Sequence, residues 1–198
     1  MAMGRPLDPT IDRAIKEATH TLLRERGFAR MSMEAVASVA GVGKPAIYRR
    51  FRGKAELVAT VIEGQLPQLE VPDVGDTRAE LWMGVERGFP ADAPSYVGLI
   101  GGLIAEQERH PELIEAFRRS VLLPRRAIAQ AAIERGQARG DIRADIPSVA
   151  ALDLLAGPLL ARAFAGEDTG PQWRRQAFDT WWSLVRTPKR KHHDRFHR

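Results

Sequence analysis

Apolar positions along the 198-residue chain recur with helical spacing, and no stretch alternates with the period of two that marks a strand. Ile11, Ile15, Ala18, Leu22 and Leu23 fall on one face of a first helix from Pro9 to Arg26, with Gly27 as its stop signal. Ser32 is placed to cap a short helix over Met33 to Ala40, and Glu34 stands in its positive first turn. Gly41 ends that helix, and Pro45 sits where proline is tolerated, in the first turn of a third helix that continues through Arg50. A fourth helix is expected over about Lys54 to Gln68. Leu66 to Asp76, LPQLEVPDVGD, is the one linker-like piece. Beyond it, helices are expected near 77–89, 95–109, 112–138, 147–165 and 172–186, with Pro124 kinking or splitting the longest. The pattern predicts an all-α chain of about nine helices: a small head over 1–54, a body over 55–186, and a tail over 187–198 expected to be disordered.

The composition narrows the chemistry. Cysteine is absent, which removes disulfide frameworks, thiolate nucleophiles and Cys-based zinc sites together. The longest uninterrupted apolar run, Val97 to Ala105, is far shorter than the roughly 20 residues a membrane helix needs. The N-terminus carries no apolar signal core, so the expectation is a soluble cytoplasmic protein without a membrane partner. Charge is unevenly placed: residues 1–54 hold 11 Lys and Arg against 5 Asp and Glu, residues 55–186 hold 14 against 19, and residues 187–198 hold 5 against 1. A basic head on a mildly acidic body confines any polyanion-facing surface to the first quarter of the chain, with the tail as an added source of non-specific phosphate attraction.

Within that head, AGVGKPAIYRRF, from Ala40 to Phe51, admits two readings. A phosphate-binding loop would follow a strand and open a helix, whereas the residues before Gly41 are helically spaced; Ser38 and Pro45 also stand where a Walker A loop requires glycine and a hydroxyl residue. A helix-turn-helix makes other demands, and these are met. The crossing point needs a small residue, supplied by Ala37, and the turn needs one that tolerates positive φ, supplied by Gly41. Val36, Ala40, Val42, Ile47 and Phe51 then face inward, leaving Lys44, Pro45, Ala46, Tyr48, Arg49 and Arg50 outward. Arg49 can fork onto guanine O6 and N7, Pro45 and Ala46 can touch a thymine methyl, and Tyr48 can donate to phosphate. Taken singly, Tyr48 reads equally well as a half-buried aromatic and the arginines as solvated; the spacing as a whole favours DNA.

The run Ser32-Met33-Glu34-Ala35-Val36-Ala37, then Ala40-Gly41-Val42-Gly43, Ile47-Tyr48-Arg49-Arg50-Phe51 and Lys54-Ala55-Glu56-Leu57 resembles the tetracycline-repressor family of transcriptional regulators. The specific resemblance covers about residues 9–57. It implies a DNA-facing set of Ser32, Gly43, Lys44, Pro45, Ala46, Tyr48, Arg49, Arg50 and Lys54, the last as a phosphate neutraliser. Three positions depart from the family pattern: Gly43 stands for the common serine, Pro45 for glycine or alanine, and Arg50 for histidine. The first keeps an acceptable helix cap at a cost of only a few tenths of a kcal/mol. The departures bear on the operator sequence rather than the fold. The resemblance further implies a repressor that binds a palindromic double-stranded operator as a homodimer, joined through its last two helices, with a cavity for a small hydrophobic or amphipathic effector among the middle helices.

The body offers residues for both roles. Leu152, Leu155, Leu159, Leu160 and Phe164, followed by Phe178, Trp181, Trp182 and Val185, make two apolar faces that need more than one covering surface; a well-buried monomer core would supply one, but a chain of this size has few other helices to cover both faces, so a homodimer interface is expected here. Candidates for the cavity lining are Trp82, Val85, Phe89, Leu99, Gly102, Leu103, Gln107, Phe117 and Leu123, with Glu86 and Glu106 facing either the pocket or solvent. Gly101-Gly102 in an apolar stretch would admit a ligand or another backbone closely. Neither H-E-x-x-H nor G-x-S-x-G occurs and the histidines are scattered, so no enzyme, metal site or cofactor is expected; the other reading is a helical small-molecule-binding or enzymatic protein with an incidental helix-turn-helix.

Overall fold

Asp8 opens the first helix, its carboxylate accepting the Thr10 N–H at 2.9 Å before Pro9 fixes the first turn. In the computed structural model, which describes residues 8–88 and 100–188, the order is α1 (Pro9–Arg30), α2 (Met33–Ala40), α3 (Lys44–Tyr48), α4 (Lys54–Gln65) and α5 (Thr77–Gly88). After helical residues 100–105 follow α6 (Pro111–Phe117), a π-helical turn (Arg118–Leu122), α7 (Leu123–Ala138), α8 (Ser148–Phe164) and α9 (Pro171–Val185). Among the described residues the fold is all-α, with one isolated antiparallel bridge between Ile142 and Arg186. None of these helices is long and apolar enough to cross a membrane. Phe89, Leu99, the first residues of the helix expected over 95–109 and the tail from 189 lie outside the described residues.

Gly27 breaks α1 where the stop signal was expected, at φ 71° and ψ 171°, and one further turn carries the chain to Arg30. The helix expected over 112–138 is interrupted ahead of Pro124. Proline lacks an N–H and its ring crowds the carbonyl four residues back. The chain accommodates this by widening: the Leu123 N–H donates to the Arg118 carbonyl five residues earlier.

The described residues divide into two compact units. Residues 8–67 and 100–125 form the first, whose core joins Ile15, Leu22, Val36, Ile47, Leu57 and Ile62 to Leu113, Phe117 and Val121. Residues 68–88 and 126–188 form the second, built on Leu81, Ile133, Ile142, Phe178, Trp181 and Val185. The segment read as a linker is packed and bonded within that second unit from Leu69 onward. Leu69 and Val71 lie against Gly88 and Gly84 of α5, so closely that a Cβ at either glycine would stand within 3 Å of them. The Val74 and Gly75 N–H groups both donate to Oε1 of the fully buried Glu80, at 2.8 and 2.9 Å. Arg139 donates to the same oxygen at 3.0 Å and Arg135 lies 3.6 Å from the other. Burial pushes the Glu80 carboxyl up, but these N–H donors outweigh it and hold it below the usual carboxylate range.

Candidate nucleic-acid interface

The interface is assembled by local signals. The Ser32 hydroxyl accepts the Ala35 N–H at 3.1 Å and starts α2. Gly41 ends it in the left-handed region at φ 66°, ψ 29°, where a side chain would be strained, and the Val42 N–H returns to the Ala37 carbonyl at 3.0 Å. Gly43 is extended and caps α3 without a side-chain bond, as the loss of the serine implied. Pro45 takes the first turn of that helix. The helix is shorter than expected, its last residue being Tyr48. Val36, Ala37, Ile47 and Phe51 are buried, with Ala40 and Val42 partly so, which anchors α3 on α2 and α1.

The opposite face of α3 is exposed. Ser32, Gly43, Lys44, Pro45, Tyr48 and Arg49 are all accessible, and Ala46 is half-buried between them. Tyr48 is 51% exposed, so it is no core aromatic. Its hydroxyl makes a long hydrogen bond, 3.4 Å, to Oε1 of Glu34, and the Lys44 ammonium lies 3.6 Å from the same oxygen. The Glu34 carboxyl is held below its ordinary range first by the N–H at its own helix start, and then by Lys44 and Tyr48.

Two of the expected contacts are placed differently. Arg50 was read as outward-facing, yet its side chain is only 5% exposed. Its Nε pairs with the Asp12 carboxylate of α1 and its Nη1 donates to the Ala46 carbonyl at 3.0 Å. α3 ends before this residue, and the chain turns it toward α1 instead of continuing the exposed stripe. Lys54 is half-buried: its ammonium donates to the Phe28 carbonyl at 2.8 Å and lies 4.1 Å from the centre of the Phe28 ring. It ties α4 to the end of α1 rather than standing free as a surface cation.

The body assignments also sort themselves by burial. Leu152, Leu159, Phe178, Trp181 and Val185, expected at a dimer interface, are buried in the protomer's own core, and Leu155 and Trp182 are half-buried against it. The Trp181 indole N–H donates to the Ala151 carbonyl at 2.9 Å, so this ring is satisfied within one chain. Of the expected set only Phe164, at 62%, is exposed; Leu154 and Leu184, at 53% and 58%, join it. The expected cavity lining is divided. Leu103 and Phe117 belong to the core of the first unit, while Val85, with half-buried Trp82 beside Phe178, belongs to that of the second. Gly102, Gln107 and Leu123 are exposed, Gly101 is half-buried, and beyond its chain neighbours and its own helix backbone a Cβ at Gly101 or Gly102 would meet no described atom within 4 Å. Glu86 is exposed, whereas Oε2 of half-buried Glu106 is buried without a hydrogen-bond partner among the described residues.

Comparison with known proteins gives the same picture along most of the chain. Residues 15–61 match the description "Bacterial regulatory proteins, tetR family" and residues 71–180 match "Tetracyclin repressor-like, C-terminal domain". The chain is 32% identical over 133 residues to the DNA-binding transcriptional repressor TetR of Mycobacteroides abscessus, covering 65% of this chain and 68% of that protein. It is 30% identical over 164 residues to the uncharacterized HTH-type transcriptional regulator Rv1556 of Mycobacterium tuberculosis, covering 80% and 81%. Among solved structures, the flavonoid-responsive regulator FrrA superposes with a TM-score of 0.67 at 21% identity, over 90% of this chain and 98% of that one.

Proposed function

The chain belongs to the tetR family of bacterial regulatory proteins, DNA-binding transcriptional regulators, and from that premise we propose that it is a repressor acting through the exposed face of α3. In this reading residues 1–54 bind DNA, and residues 55–186 hold a small hydrophobic or amphipathic effector and the second copy of a homodimer. The carrying observation is the contrast across five residues: Ile47 is fully buried while Lys44, Pro45, Tyr48 and Arg49 stand in solvent around it. A helix held by its inner face and edged with an arginine, a lysine and a tyrosine has the dimensions and donors for a major groove. Arg49 is assigned to a base edge and Lys44 and Tyr48 to phosphates.

The test is binding to duplexes from the DNA upstream of the chain's own gene, followed by selection from a randomised pool. Arg49→Ala is expected to weaken the selected duplex by roughly 1 to 3 kcal/mol and to relax one position in each half-site. Unchanged base preference across a set of single-base variants removes Arg49 from the reading set. An effector that binds better to a conformation with wrongly spaced heads weakens operator binding by about 5- to 150-fold, the usual range of such coupling. A compound library followed by operator titration measures that directly.

A further inference from the structure

We propose that Asp12 is a positioning residue for DNA recognition: its pair with Arg50 locks the recognition helix to α1 and withholds the Arg50 guanidinium from the phosphate backbone. The inference rests on the assignment of α3 to DNA. Arg50 follows the exposed Tyr48 and Arg49 directly, yet 95% of its side chain is withdrawn from solvent. The guanidinium is held from two sides. Asp12 of α1 takes Nε, and the Ala46 carbonyl in α3 itself takes Nη1 at 3.0 Å. One arginine therefore bridges the helix that enters the groove and the helix that supports it, 38 residues earlier in the chain.

The alternative purchase on α3 is thin. The helix is five residues long, its N-cap glycine offers no side-chain bond, Ile47 is its one fully buried side chain, and its polar contacts to α2, from Lys44 and Tyr48 to Glu34, are long and solvent-exposed, so they hold it loosely. An apolar contact alone is non-directional and leaves rotation about the helix axis weakly specified. A guanidinium fork has fixed directions, so the Asp12 carboxylate sets the angle at which Lys44, Pro45 and Arg49 meet the DNA. It also cancels a positive charge that, released, would reach any phosphate indiscriminately. Asp12 thus favours discrimination over raw affinity.

The experiment compares the full-length protein with Asp12→Asn on two duplexes, one selected from a randomised pool by the parent and one of scrambled sequence. Both are titrated across a salt series. Asn keeps the shape and the acceptor but loses the charge. The scrambled duplex is expected to bind several-fold more tightly, with the slope of log K against log salt steeper by about one per head as Arg50 gains a phosphate. The ratio of selected to scrambled affinity is expected to fall about tenfold or more. A folded Asp12→Asn protein with unchanged slope and unchanged ratio overturns the proposal.

A second variant, Asp12→Asn with Arg50→Gln, keeps the net charge and covers the case in which the single variant does not fold. Its salt slope is expected to equal the parent's, because Arg50 is not on phosphate in the parent complex. A slope shallower by about one per head shows that Arg50 already binds DNA and sinks the lock. Arg49→Ala in the same assay separates this inference from the reading beneath it. If that change alters neither duplex, α3 does not face DNA and both fall; if it alters the selected duplex while the Asp12 variants match the parent, only the lock falls.

Discussion

At the scale of single residues, the candidate DNA face carries its own competitor. Glu34 lies beside Lys44 and Tyr48, and a carboxylate there both occupies their donors and repels an approaching phosphate. Glu34→Gln is therefore expected to tighten binding to selected and scrambled duplexes alike, by roughly two- to fivefold, the modest scale of an exposed pair. Equal affinity for parent and variant on both duplexes shows that Lys44 leaves Glu34 at no cost. Residues whose role is local were readable from the chain. Ser32 caps because a hydroxyl at a helix start has an N–H three residues on to accept, and Gly41 turns because only glycine takes that φ freely. The fates of Arg50 and Lys54 were not readable. Their partners, Asp12 and Phe28, are 38 and 26 residues away, and helical spacing says nothing of which arginine following a short helix is drawn inward.

Punctuation places the elements well, since Gly27, Gly41, Pro124 and Pro171 act on the backbone at their own positions. What the pattern missed are devices that need another element to exist. The Leu66 to Asp76 segment reads as a linker because it is rich in proline and acid, yet Glu80 collects its N–H groups and α5 glycines admit its side chains. Glu80 is depressed in the folded state, so its contribution is present above the unfolded value of about 4.5 and is lost as pH falls through its lower folded value. Acid unfolding followed by circular dichroism is expected to show this loss, and Glu80→Gln to remove it. At neutral pH that variant is expected to cost about 3 kcal/mol, the low end for a broken buried pair because Arg135 and Arg139 keep some water. Gly136 is a second such device. A Cβ there would stand 2.5 Å from Thr77 Cγ2 and 2.9 Å from Ile142 Cδ1. Thr77 cannot yield easily, because its hydroxyl donates to Asp141 at 2.7 Å and accepts from Arg139 at 3.1 Å. Gly136→Ala, which would stabilise an open helix, is expected here to cost roughly 1 to 3 kcal/mol in urea unfolding.

For the whole molecule, the proposed reading of a palindromic site calls for a second copy of the chain. Apolar residues lie on more than one side of α8 and α9, and the bulkiest of them face the protomer's own core. Phe178 and Trp181 close the protomer's own core, where a large ring gains most from full burial. The side left over on α8 runs through Leu154, Gly157, Ala161 and Phe164, all exposed at helical spacing, and α9 adds Thr180 and Leu184. Small residues between two large ones let another helix approach closely, and an isologous pairing of two such helix pairs gives a closed dimer. Two copies reading half-sites about 34 to 36 Å apart gain an effective concentration that a single head lacks. Phe164→Glu with Leu184→Glu places four charges in that face without touching either core. The variant is expected to remain helical, to run as a monomer by light scattering, and to bind the palindrome on the order of a hundredfold more weakly while keeping the parent's affinity for an isolated half-site. A folded variant that still runs as a dimer with undiminished operator affinity moves the interface off these two helices.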